Sequence, residues 1–508
     1  MRTILNSEFL ILNYGFRFLI GIKKRFDHST FKIQHSKFRT FFYLSVLIVL
    51  TVVFSSPAAA RPPLVRQTAP LEIKVPPFHV KILSCGLKIL FLKDDKMPLV
   101  SAHFLTPGGH STDPAGKEGL AALLSSLMRN GGAGKLSSEA FDTALENRSI
   151  SMSASEEMEN FSADFRCLSQ DLPEALGFFA DMLRFPQLDA KRLEAEKTNA
   201  MDSLKRMEDT PDTLSRVLFY RSLMGNSSYG RWASPKSVAG ITREDLDGFF
   251  RKNFGPSGAE LALAGNFDEE KVSKRLEDLF AGWKKQSAPP PVSDAKPLGP
   301  TIYFYPKDVT QVFVRFGLMG LHCHDERDIP LQVANYILGG SGFTSRLMQE
   351  IRSNRGLAYF VYSYSLPFNI RGPYQILGGT RPDSVKEYLT LMFQLIDDFS
   401  KTGPTDSELA DAKQSIIEEF AYNFESPYSL SAYKASLDFN GYPDDYLENY
   451  RVKVKAVTRK QAADAARSIL SQKDWVLVVA GPADLEPLLS TFGKVRKVSS
   501  IFEPLSAK

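Results

Sequence analysis

Two separated stretches of the chain share one pattern, and that pattern limits what the whole can fold into. ELALAGNFDEEKVSKRLEDLFAGW, starting at Glu260, is a short apolar run that ends on Gly265 and passes into helical periodicity. WVLVVAGPADLEPLLSTFG, starting at Trp475, repeats the apolar run, the glycine at Gly481 and the helical continuation. A strand, a glycine and a helix recurring toward the ends of two long segments point to a duplicated unit and not to one enlarged core. The 508-residue length asks for more than one core in any case. Between the repeats, QSAPPPVSDAKPLGP (residues 286–300) carries three consecutive prolines among small residues, which predicts a stiff exposed connector. The expected fold class is α+β, with two homologous halves at residues 61–285 and 301–508, each an antiparallel or mixed sheet packed with helices.

Local signals fill in the first half. KILSCGLKILFLKD (Lys81–Asp94) and PLVSAHFLTPGG (Pro98–Gly109) read as two strands joined by a polar turn around Asp94-Asp95-Lys96. GKEGLAALLSSLMRN (Gly116–Asn130) reads as a helix, and a second helix starts after Lys135, with Ser137 and Ser138 as caps. Alternation from Ser149 to Leu168 predicts a hairpin, and helical periodicity returns at Leu172–Leu183 and Asp189–Met207. A formal charge of +4 on 62 basic and 58 acidic residues leaves no case for nucleic acid. Cys85, Cys167 and Cys323 allow at most one bridge, and buried free thiols are the simpler reading.

Residues 1–60 are different. Up to Arg39 they hold eight Lys or Arg against two acidic residues, followed by FFYLSVLIVLTVVF (Phe41–Phe54) and SSPAAARPP. That apolar run is short for a spanning helix and fits the core of a secretion signal, with Ala58-Ala59-Ala60 offering small residues for cleavage. The expectation is a signal peptide and a periplasmic or secreted protein. The alternative is an N-terminal membrane anchor that holds the chain at the inner membrane, facing the periplasm.

PLVSAHFLTPGGHSTDPAGKEGLAALLSSLM (Pro98–Met128) resembles the opening of the M16 peptidase family, the pitrilysin, insulinase and mitochondrial processing peptidase group. The resemblance implies halves of the LuxS/MPP-like metallohydrolase type. Active members carry His-x-x-Glu-His on the helix after Gly-Leu-Ala, two imidazoles one turn apart on one zinc with a carboxylate to polarise water. Here the matching positions are Ala122, Ser125 and Ser126. The family's third ligand is a Glu seven residues after an earlier Glu on a later helix; with Glu196 as the earlier one, the ligand position is Ser203. Neither a methyl group nor a neutral hydroxyl supplies the lone pairs and charge that hold zinc. The expectation is four vacant positions, no catalytic residue and no metal in this chain. Small residues packing a helix face would also explain them.

In the second half, ILGGSGFTSRLMQEIRSNRGLAYFVYSYSLP (Ile337–Pro367) resembles the family's C-terminal signature, in which an Arg and a Tyr seven residues apart hold the substrate main chain. The matching residues are Arg352 and Tyr359, whose guanidinium and phenol suit a peptide carbonyl or an oxyanion. The glycine run Gly339, Gly340 and Gly342 lacks the ending of a phosphate loop, and the resemblance implies a peptide-contacting loop. LHCHDE (Leu321–Glu326) gathers two imidazoles, a thiol and two carboxylates, a composition that can attract a metal without convergent ligands to hold it.

Taken with the vacant positions, the resemblance implies a non-catalytic subunit of a heteromeric zinc peptidase. It would be no enzyme on its own and would lend Arg352 and Tyr359 to an H-x-x-E-H partner that holds the zinc. Its other ligand would be a peptide or unfolded polypeptide. Two further readings stay open: a self-associating peptide-binding or scaffold protein, and a hydrolase with a relocated site.

Overall fold

The computed structural model describes residues 74–505 apart from 226, 287–291 and 293. The signal or anchor expected at residues 1–60 lies outside the described residues. Among those described, no helix is long and apolar enough to cross a membrane.

The first sheet runs β1 (His79–Ile82), β2 (Lys88–Lys93), β3 (Leu99–Pro107), β4 (Ser151–Glu156), β5 (Asn160–Leu168) and β6 (Glu260–Gly265) in chain order, and its spatial order is β1-β2-β6-β3-β5-β4. Its longer helices are α1 (Leu120–Asn130), α2 (Ser138–Glu146), α3 (Leu172–Arg184), α4 (Ala190–Met207), α5 (Pro211–Leu223), α6 (Arg243–Asn253) and α7 (Glu269–Phe280). The second sheet comprises β7 (Thr301–Pro306), β8 (Val312–Met319), β9 (Ala358–Ser365), β10 (Pro373–Thr380), β11 (Val476–Gly481) and β12 (Val495–Lys497), in the spatial order β12-β7-β11-β8-β10-β9. Its longer helices are α8 (Asp328–Asn335), α9 (Val385–Thr402), α10 (Asp406–Glu419), α11 (Pro427–Phe439), α12 (Tyr446–Ala456) and α13 (Arg459–Leu470).

Five strands of each sheet follow one order. β2 pairs parallel with β6, as β7 does with β11, and the remaining pairs inward of the free edges β4 and β9 are antiparallel. The sixth strand comes from opposite ends of the chain, β1 before β2 in one half and β12 after β11 in the other. The strand, glycine and helix repeat seen in the sequence corresponds to β6 with α7 and to β11 with the short helix at Glu486–Leu489.

Three local expectations are corrected. The segment Lys81–Asp94 is not one strand, because Ser84–Gly86 turns it into the β1–β2 hairpin, with Gly86 at φ 99°. β2 and β3 do not pair, since β6 enters between them. The 286–300 segment is tied down where it is described: Gln286 Nε2 donates to Ser257 O at 2.8 Å, Arg371 N donates to Asp294 Oδ1 at 3.0 Å, and Ala295 is 8% exposed in an apolar cluster beside Leu298.

What locks the halves together is a reciprocal exchange of helices. α5 lies on β8 and β11 of the second sheet, and α11 lies on β2, β3 and β6 of the first. Leu214, Val217, Leu218, Phe219 and Leu223 of α5 are all fully buried, so this helix is apolar on more than one side, as burial between layers requires. Pro211 occupies its first turn, where a missing N–H costs nothing. β6 and β11 are buried at every position because helices cover both of their faces.

Candidate functional site

A cavity of about 400 Å³ opens where α1 and α4 pack side by side. α1 presents Ala122 and Ser126, one turn apart on one face, and α4 presents Glu196, Asn199, Ala200, Ser203 and Leu204. The structure therefore brings three of the four sequence-designated positions, Ala122, Ser126 and Ser203, to one space. Ser125 is buried on α1 with its hydroxyl beside Glu156 of the edge strand β4. Ser203 Oγ donates back to Asn199 O at 2.9 Å, and Asn130 Nδ2 reaches Glu196 Oε1 at 3.3 Å. His110, Arg231, Trp232 and Val238 close the far wall.

The local sequence explains how α1 is aimed. α1 starts at Leu120, not at Gly116, because Gly119 takes φ 102°, outside the helical region. Asp113, 3% exposed, accepts from Gly119 N at 2.7 Å and Ala121 N at 2.8 Å, and so serves the orphan donors of the first turn. Burial pushes its carboxyl up to about 7 against the pull of those two amides. Burial also holds His110 down at about 4, so its imidazole is neutral at pH 7. The Glu156 carboxyl is raised by burial, with its own backbone N–H and the Ser125 hydroxyl opposing.

The donor set does not suit zinc. Ala122 offers no donor, the hydroxyls of Ser125, Ser126 and Ser203 are neutral, and among the described residues no three His, Cys, Asp or Glu side chains converge to hold a metal ion. What remains is a concave, mainly apolar space with ionisable groups on its walls, suited to binding. Sequence reasoning did not single out His110, Asp113, Glu156, Arg231 or Trp232. They come from loops and strand ends with no spacing that marks them.

The second-half candidates lie on and beside the free edge of the other sheet. Arg352 belongs to the wide helical turn Met348–Asn354, and its guanidinium carbon lies 4.8 Å from the ring centroid of Phe343. Tyr359 stands where the β9–β10 register slips: Gly379 faces Phe360 and Thr380 faces Ala358, which leaves Tyr359 as the extra, bulged residue. It is 72% exposed, which excludes a core role. Among the described residues neither Arg352 nor Tyr359 makes a side-chain hydrogen bond or ion pair. Gly339 packs against β9, where an added Cβ would lie 2.4 Å from Ser363 Oγ, whereas Gly342 has φ 59° and open space around it. Phe343, next in the loop, is 63% exposed. Arg352 and Tyr359 are not part of the lining of the α1–α4 cavity.

LHCHDE gathers no ligand set. Asp325 is held by Arg327 at 2.6 Å, the His324 ring lies 4.7 Å from the ring of Tyr442, and burial pushes the Cys323 thiol up to about 12. All three cysteines are free thiols.

Residues 88–231 match the family model described as Insulinase (Peptidase family M16), and residues 240–416 match the one described as Peptidase M16 inactive domain. A protein of Streptomyces coelicolor named as an uncharacterised zinc protease is 27% identical over 332 residues, covering 62% of this chain and 71% of that one. A Helicobacter pylori protein named non-peptidase homolog YmxG is 26% identical over 347 residues, covering 67% and 79%. The crystal structure of a peptidase M16 inactive domain from Pseudomonas fluorescens superposes with a TM-score of 0.75 at 25% identity, over 85% of this chain and all of that one.

Proposed function

The chain belongs to the M16 peptidase family, with inactive homologues among its relatives, and from that premise we propose that it is the non-catalytic subunit of a two-chain zinc peptidase exported to the periplasm. In this reading the partner carries H-x-x-E-H and the zinc, and this chain contributes Arg352, Tyr359 and the Gly339–Gly342 loop to holding the peptide. The observation that carries it is the state of the pair: a guanidinium stacked on the exposed Phe343 ring and a bulged phenol beside a free sheet edge, neither with a side-chain hydrogen bond or ion pair among the described residues. A tyrosine turned outward and left unbonded gives the fold nothing. It suits a carbonyl or developing oxyanion supplied from outside. The residues at Ala122, Ser125, Ser126 and Ser203 support the negative half of the reading, since they leave no ligand or general base on this chain's own helix.

The test is reconstitution. The purified chain is mixed with an H-x-x-E-H family member from the same genome, and peptide cleavage is followed. Activity is expected only in the mixture, and Arg352→Ala or Tyr359→Phe should lower it by about 10²–10³-fold, the usual effect of losing one oxyanion donor. A partner equally active without this chain, or a mixture indifferent to both substitutions, overturns the proposal.

A further inference from the structure

The α1–α4 cavity is better equipped than a leftover space needs to be. At about 400 Å³ it falls in the range of small-molecule sites, about 300–1,000 Å³. Imidazoles at 122 and 126 and a carboxylate at 203 would fill much of it. With alanine and serine there, Leu123, Ala200, Leu204, Met207, Trp232 and Val238 form an apolar wall instead.

Charges of both signs face the same space. Glu118, Glu156 and Glu196 line it together with Arg231. Among the described residues none of these four forms an ion pair. Arg231 Nε is shut off from solvent and has no hydrogen-bond partner. Arg231 Nε is left without a partner and the carboxylates on the same walls do not pair with the guanidinium, so a ligand bearing both charges can engage both. His110 is neutral and Asp113 is committed to the start of α1, so neither competes for the ligand's charges.

We propose that this cavity is a binding site for a zwitterionic α-amino acid with an apolar side chain. Its carboxylate pairs with Arg231, its ammonium with the glutamates, and its side chain lies on the Leu123, Leu204, Met207 and Trp232 wall. Arginine suits the first role because its fork presents parallel N–H donors to a carboxylate. The proposal needs no partner subunit, and its failure leaves the reading of Arg352 and Tyr359 untouched.

The experiment is titration calorimetry on the full chain with L-phenylalanine and L-leucine. Two analogues of phenylalanine serve as probes of the charges: phenethylamine, which lacks the carboxylate, and 3-phenylpropionate, which lacks the ammonium. Saturable one-to-one binding of the amino acids is expected, with each analogue at least tenfold weaker. Arg231→Gln should weaken phenylalanine at least tenfold while leaving phenethylamine unchanged. Glu156→Gln with Glu196→Gln should do the converse, sparing 3-phenylpropionate. Ala122→Phe, which fills the cavity, should abolish binding, and an unchanged unfolding temperature shows that each variant is folded. No saturable heat at millimolar amino acid overturns the proposal. So does phenethylamine binding as tightly as phenylalanine, or full binding by the folded Ala122→Phe variant.

Discussion

At Gly339 the backbone runs so close to β9 that a Cβ would meet Ser363 Oγ at 2.4 Å and Ser363 N at 2.7 Å, so something in the strand must shift to admit one. Gly339→Ala is expected to lower stability by about 1–3 kcal/mol through overpacking. Gly342→Ala meets no atoms and is strained only by its φ of 59°, so about 1 kcal/mol is expected. Urea unfolding of both variants checks the order, and an equal loss would mean that Gly339 is not held against β9. On α1 and α4 the converse experiment applies. Because Ala122, Ser126 and Ser203 line one space, Ala122→His, Ser126→His and Ser203→Glu together should bind about one zinc per chain, while each alone binds none. Metal analysis after dialysis decides it, and a folded triple variant without zinc would show that the three positions do not converge as ligands.

Among the elements, α10 shows how the glycine loop is anchored. Arg346 Nε and one terminal nitrogen each donate to Glu408 at 2.7 Å, and Glu408 also closes a capping box with Thr405 at the start of α10. The guanidinium, with the Thr405 amide and hydroxyl, holds the Glu408 carboxyl down at about 2, below its ordinary 4.5. A depressed carboxyl contributes stability above its unfolded value and loses it as pH falls through its folded one. Wild type should therefore exceed Glu408→Gln by about 1 kcal/mol above pH 4.5, given the pair's contact with solvent, and the difference should shrink between pH 4.5 and about 2. A gap independent of pH, measured by denaturant unfolding, would assign the loss to the cap geometry alone. Such pairs are hard to read from sequence, since Arg346 and Glu408 lie far apart in the chain. Local features were legible: the β4–β5 hairpin from its alternation and Ser137 as the cap of α2, whereas Arg352 and Tyr359 were named from the family resemblance alone. What could not be read depended on tertiary neighbours. Nothing local tells that β6 enters between β2 and β3, that Asp113 reaches forward to α1, or that Gln286 and Asp294, on either side of the proline run, bond one to each half.

On the scale of the whole molecule, the exchange of α5 and α11 makes each half incomplete alone. Without α5, the buried faces of Tyr303, Val476, Val478 and Ala480 on the second sheet would meet water; without α11, Leu90, Leu105 and Ala262 on the first would do so. Exposed apolar sheet faces of this kind drive aggregation, so residues 74–285 or 301–505 expressed singly should be insoluble, and the two together soluble. Phe219 is the most sensitive point in the exchange. It is 0% exposed, its ring occupies the place of a Cβ on Gly317, and the Arg315 guanidinium lies 6.0 Å from its centroid while bonding Asp212 of α5 and Gln375 of β10. Phe219→Ala should cost about 3–5 kcal/mol, because the atoms it touches belong to both halves and cannot collapse onto the gap. The loss should appear as a downward shift of one cooperative transition, and calorimetry that resolved two transitions would show the halves to be independent. That coupling bears on the proposed role. A subunit whose two halves share their core presents the β9 edge, the Gly339–Gly342 loop and the α1–α4 cavity on one cooperatively folded body. Arg352 and Tyr359 would then meet a partner's peptide from a fixed support, where small errors of position cost rate. Phe219→Ala should accordingly weaken reconstituted cleavage only as far as it unfolds the chain, so that activity per folded molecule, measured below the shifted transition, stays at the wild-type level.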